Sequence, residues 1–297
     1  MKPVNLFVVG AAKCGTTSLA SYLNQHESIF IPDIKEPKYF SIPENVFPHK
    51  GPGDEVVDLN VVASLEDYNA LYRGQECSQY LCDASVDYLM FDNVPVRIFD
   101  YCPDAKIIIM LRNPVDRAYS AYMHMIRDGR EYLSFEDAIK LENKRAEENW
   151  EFFWKYIECG MYSKQVERYL NIFPEKNIKV VLFDDFINDA NKVLNEISGF
   201  LEIERKDYNV SRVLNVSGVP SNKALHNLLN NKNFIKKFFR KYIPVSLKEK
   251  IKYIVSSKNI KKVKISDSVR KDLVMCFRDD VSKLSLILGR DLNGLWK

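Results

Sequence analysis

No stretch of this 297-residue chain approaches the roughly 20 consecutive apolar residues that a membrane-spanning helix needs. The apolar run near the N-terminus is too short for a signal peptide and leads straight into a glycine-containing turn. The six cysteines, at positions 14, 77, 82, 102, 159 and 276, share no repeated spacing. Cys77 and Cys82 have four residues between them, which matches neither a zinc knuckle nor a redox pair. Reduced thiols and a cytoplasmic location are the expectation. No internal repeat or low-complexity tract is present. Charge of one sign is not in large excess either: 43 Lys and Arg stand against 40 Asp and Glu, and a net charge of +3 gives no ground to expect a nucleic-acid partner.

What is present is a globular composition, 46% hydrophobic and 28% charged, on a chain long enough for one large core. Short apolar runs alternate with helical patterns, which predicts an α/β fold with a P-loop-like parallel sheet flanked by helices. Expected strands are Val4–Val9, Ser28–Ile31, Gln79–Cys82, Lys106–Leu111 (KIIIML) and Ile178–Phe183. Expected helices are Ser18–Asn24, Leu65–Tyr72, Val94–Tyr101, 115–127, Phe135–Lys155, Tyr162–Phe173 and Ala190–Leu201, with 41–64 a long loop. The reading is one domain over 1–297, its core ending at about 230 and a basic helical C-terminal region at about 231–297. Between Lys232 and Lys264 twelve basic residues face a single acid, Glu249. Within it, NFIKKFFRKY (233–242) places Phe and Ile on one helical stripe beside basic residues. That pattern reads equally as a helix on an anionic membrane surface, at the inner face of a membrane, and as a core-facing stripe with solvated lysines.

The loop Gly10-Ala-Ala-Lys13-Cys-Gly15-Thr16-Thr17 joins the first strand to the first helix. Small residues let backbone N–H groups approach an anion, the helix N-terminus adds partial positive charge, and Lys13, Thr16 and Thr17 add donors. It is a phosphate cradle without the Walker arrangement, because Thr16 stands where a lysine should follow the second glycine. Loops leaving the carboxyl ends of parallel strands converge on one crevice. The clusters so placed are the Lys13 loop, Lys35-Glu36, Asp83-Ala-Ser85, and Arg112 with Ser120 eight residues later. Arg112 suits a bidentate phosphate clamp, and Glu36, flanked by lysines, suits a general base. Ser120, His124 and Arg127 share one helical face. Val180–Asp185 (VVLFDD) resembles a Walker B strand, which would support an NTP-dependent kinase with a degenerate P-loop. A non-catalytic nucleotide- or membrane-binding module is the third reading.

GAAKCGTTSL resembles the 5′-phosphosulfate loop of sulfotransferases that use 3′-phosphoadenosine-5′-phosphosulfate (PAPS), and LRNPVDRAYSAYMH resembles their 3′-phosphate motif. KEPKYF is similar to the K-E-x-x-F-F segment of the heparan sulfate sulfotransferase branch. CDASVDYL, GMYSKQVERYL and NVSGVPSNKAL resemble further segments in order, so the likeness spans about residues 4–230. It implies Ala12, Lys13, Cys14, Gly15, Thr16 and Thr17 around the phosphosulfate, with Arg112 and Ser120 on the 3′-phosphate. It further implies Tyr162 near the nucleotide and Ser217, Ser221 and Lys223 in a segment closing over it. Lys13 and Glu36 would be catalytic, and Lys35, Asp83, Ser85 and His124 would face the acceptor. The donor would be PAPS, no metal is expected, and the acceptor would be a hydroxyl on a glycan or glycolipid, or on a sterol or other lipid alcohol. Departures fall on the acceptor side: Ala84 stands where the heparan enzymes carry lysine, Val86 replaces a proline, and the late loop lacks K-G-R.

Overall fold

The computed structural model describes residues 2–211 and 264–297, with the backbone of 219–220 and 260–261. Along the chain run β1 (Leu6–Gly10), α1 (Thr16–Leu23), β2 (Ile29–Phe30), α2 (Glu55–Asp58), α3 (Leu65–Ala70), β3 (Tyr80–Asp83), α4 (Val94–Tyr101), β4 (Lys106–Leu111) and α5 (Pro114–Arg127). There follow α6 (Phe135–Lys140), α7 (Glu142–Glu147), α8 (Tyr162–Ile172), β5 (Ile178–Leu182), α9 (Phe183–Asn188) and α10 (Ala190–Phe200). After the short antiparallel pairing of Val219–Pro220 with Ile260–Lys261 come α11 (Asp267–Leu288) and α12 (Leu292–Leu295).

The five main strands form one parallel sheet in the order β2-β3-β1-β4-β5. Parallel strands covered on both faces read as continuous apolar runs. LFVVG and IIIML do so, and every residue from Ile107 to Leu111 is buried. The order reverses beside β1, so the crevice opens where β1 and β4 end. α1 buries Leu19, Tyr22 and Leu23, the i, i+3, i+4 set read from sequence. α5 starts sharply because Pro114 fits the first turn and the Asn113 side chain accepts from the Val115 and Asp116 amides.

Three expectations need correction. The stretch 41–64, expected as a long loop, carries α2, and a 3-10 turn over Tyr39–Glu44 runs into it. The charged stretch 135–155 is two short helices followed by irregular chain, because Trp154 and Tyr156 turn fully inward. Buried Asp54 draws that chain in, accepting from the Glu151 amide and from Trp154 Nε1, both at 3.0 Å. The last strand ends at Leu182, and Phe183 already begins α9. The stripe at 233–242 lies outside the described residues, as do Ser217, Ser221 and Lys223.

Candidate active site

The loop after β1 is fixed before any ligand is considered. The Ala11 amide donates to the Met110 carbonyl at 2.7 Å, tying the loop to the end of β4. Lys13 and Gly15 both adopt left-handed backbone, at φ 70° and 93°. At Gly15 a Cβ would lie 2.9 Å from the Phe183 ring, so the position lacks both the conformational and the physical room for a side chain. Gly15→Ala should therefore destabilise the fold by about 2 kcal/mol, seen as a fall in Tm, because left-handed strain and a ring clash act together.

These residues open onto a cleft of roughly 1590 Å³. Lys13, Gly15, Thr16 and Thr17 line it from the loop, Glu36 and Lys35 from the segment after β2, and Arg112, Ser120 and His124 from the end of β4 and from α5. Three chain segments far apart in sequence thus meet, as the topology requires. Among the described residues no carboxylate lies at ion-pair distance from Lys13 or Arg112. Burial, followed by the nearby Arg127 and Arg112 cations, lowers Lys13 to about 8, although Asp128 and Glu36 oppose the shift. Arg112 lies over the Phe183 ring at 4.8 Å and reaches the Lys13 carbonyl at 3.5 Å, so its fork is aimed along the loop.

Glu36 sits 2.6 Å from Lys35 and is 29% exposed, so it is open to the cleft. β3 supports it from behind. Asp83 and Ser85 are fully buried, and they stand beneath the wall instead of on the cleft surface. Asp83 accepts from Tyr68, Tyr88 and Ser85; Ser85 Oγ in turn accepts from the Lys38 amide at 3.0 Å, and the Ala84 amide donates to the Lys35 carbonyl. Burial raises Asp83 to about 7 despite those hydrogen bonds. These residues hold the Lys35–Lys38 segment at its place on the wall.

His124 is held differently. Burial, then the Lys13 cation, lowers it to about 3, so it is neutral near pH 7. Its Nδ1 accepts from Arg127 at 2.6 Å and its Nε2 faces Asp128 at 3.4 Å. Behind the loop, Cys14 is wholly buried with its Sγ 3.7 Å from the Tyr162 hydroxyl, and burial pushes the thiol up. Ala12 is buried as well. Ala12, Cys14 and Tyr162 are thus packed into the interior and do not line the cleft.

Other wall residues carry no local sequence signal. Phe183 forms the floor under Gly15, while Arg130 and Glu151 come from the irregular stretches after α5 and α7. Arg270 of α11 reaches back to Asp116 of α5 and also lines the cleft. The carboxylates of VVLFDD face the C-terminal helices: Asp184 accepts from Trp296 at 3.0 Å and Asp185 pairs with Arg290.

The model of the sulfotransferase domain matches residues 3–242. A sulfotransferase of known structure from Alicyclobacillus acidocaldarius is similar over 100% of both chains, with 34% identity and a TM-score of 0.81. The membrane-associated sulfotransferase kil1 of Dictyostelium discoideum is 22% identical over 306 residues, covering 76% of this chain and 62% of that protein. Human heparan sulfate glucosamine 3-O-sulfotransferase 3B1 is 25% identical over 202 residues, covering 67% of this chain and 46% of its own length. The chain therefore spans only about half to three-fifths of the curated relatives it matches.

Proposed function

The chain belongs to the sulfotransferase family, and from that premise we propose that it transfers a sulfuryl group from PAPS to an acceptor hydroxyl on a glycan, a glycolipid or a lipid alcohol. The observation that carries this reading is the meeting in one cleft of Glu36 with Lys13, which has no carboxylate at ion-pair distance among the described residues. The loop amides and the α1 N-terminus suit the 5′ end of the donor. Arg112, over the Phe183 ring, and Ser120 suit its 3′-phosphate. Lys13 stabilises charge developing on the bridging and leaving phosphate oxygens. Glu36 takes the proton of the acceptor hydroxyl. The sulfur–oxygen bond to the phosphate breaks as the bond to the acceptor oxygen forms, and 3′,5′-adenosine bisphosphate leaves. Positioning and charge stabilisation supply most of the acceleration in such in-line transfers.

A kinase reading is weaker, since it needs a lysine after Gly15 and an acid free for magnesium, whereas Asp184 and Asp185 already hold C-terminal partners. Thermal-shift titration separates the two. At a hundredfold excess over Kd, 3′,5′-adenosine bisphosphate should raise Tm by roughly 5–10 °C, and ATP with magnesium should raise it far less. Stabilisation by ATP–magnesium alone would sink the sulfotransferase mechanism.

A further inference from the structure

Resting on the donor and base assignments just made, we infer that the acceptor is an uncharged alcohol carried on an apolar body, not a polyanionic sugar chain. A cleft of roughly 1590 Å³ exceeds the ~300–1,000 Å³ of a typical single-ligand site, so it has room for a donor and a second molecule. The two ends differ in how their cations are engaged. At the donor end Lys13 and Arg112 have no carboxylate at ion-pair distance among the described residues. Around Glu36 two cations of the described wall, Lys35 and Arg130, are ion-paired, and Lys38 lies over the Phe152 ring at 5.4 Å. Lys35 is bound to Glu36 itself at 2.6 Å. Arg130 is held by wholly buried Asp54 and lies 3.7 Å from buried Glu151. Lys38 would be lowered by burial, but Asp87, Glu151 and Glu36 outweigh that and hold it above its ordinary value.

A polyanion arriving there could win Arg130 only by stripping it from buried Asp54, and Lys35 only by taking it from Glu36 itself. Apolar side chains lie beside these pairs. Ile34, Val56, Val57 and Phe153 line the same end, and Ile34 and Val56 are 43% and 45% exposed. The hydrogen bond from the Val62 amide to the Pro37 carbonyl, at 2.9 Å, brings this excursion of chain alongside the base-bearing segment. An aliphatic body lying on that wall would present its hydroxyl to Glu36 and leave the pairing of Arg130 with Asp54 intact.

The test measures release of 3′,5′-adenosine bisphosphate from PAPS by the full chain, with 1-decanol or N-sulfated heparosan as acceptor. Decanol should give a kcat/KM at least tenfold above heparosan. Val56→Lys, an exposed rim change that leaves the core untouched, should lower the decanol value about tenfold and leave the thermal shift by 3′,5′-adenosine bisphosphate unchanged. Turnover of heparosan at an equal or higher rate overturns the inference. So does turnover of neither acceptor by protein that still binds the bisphosphate, or a Val56→Lys variant as active on decanol as the parent. If the parent shows no bisphosphate shift, the donor assignment fails first and this inference falls with it.

Discussion

Lys13→Ala will lower kcat/KM for sulfuryl transfer by about a thousandfold, measured as release of 3′,5′-adenosine bisphosphate from PAPS. Removing one preorganised group that faces developing charge costs ~10²–10³ in rate. Lys13 sits in the loop itself, with its charge unneutralised by any carboxylate at ion-pair distance among the described residues. Its burial makes the same side chain a pH sensor. The free enzyme holds Lys13 near 8, so the positive form dominates below that value and is lost as pH rises through it. The kcat/KM profile should therefore fall above about pH 8. In the donor complex the bound phosphates favour the charged form, so the corresponding limb in kcat should lie at higher pH. Lys13→Arg should move the free-enzyme limb upward as well, because guanidinium stays charged. A profile flat to pH 10 in the parent enzyme would remove Lys13 from the charge-stabilising role.

Glu36→Gln should lower kcat by about 10²–10⁴ while leaving the thermal shift caused by 3′,5′-adenosine bisphosphate intact. The separation of effects matters more than the size. Glutamine keeps the shape and can still accept a hydrogen bond from Lys35, so nucleotide binding at the Lys13 loop is undisturbed. Only the proton acceptor is lost. His124 is the alternative, since it is neutral at physiological pH. Its Nδ1 lone pair, however, already accepts from Arg127, and taking a proton would create a third cation beside Lys13 and Arg127. Full activity of Glu36→Gln would nonetheless hand the base to His124, and His124→Ala would then become the decisive variant.

The sheet could be read from sequence because parallel strands are buried on both sides, which turns them into unbroken apolar runs such as KIIIML. The meeting of the loops was legible for a related reason: loops at strand ends inherit their neighbours from strand order, so Lys13, Glu36 and Arg112 could be brought to one cleft on topology alone. The wall beyond Glu36 was not. It is built from Val56, Arg130, Glu151 and Phe153, which lie in short turns and connecting chain gathered around Asp54, a buried carboxylate with no periodic signature. Asp83 and Ser85 show a subtler limit. Their place at the end of β3 was legible, yet only side-chain geometry reveals that they turn inward to hold the Lys35–Lys38 segment. Arg270 was invisible for the plainest reason, since nothing in its own helix marks it as a wall residue.

The fastening of the C-terminal helices to the site has a consequence for biosynthesis. Arg270 meets Asp116 across 154 residues, Arg290 meets Asp185 across 105, and Trp296 meets Asp184 across 112. At translation rates of roughly 5–20 residues per second, α5 waits about ten to thirty seconds for Arg270 to be made. During that interval the sheet and its phosphate loop can assemble on the ribosome, but one wall of the cleft is still missing. A nascent chain of this protein would thus have a folded cradle well before it had a finished binding site.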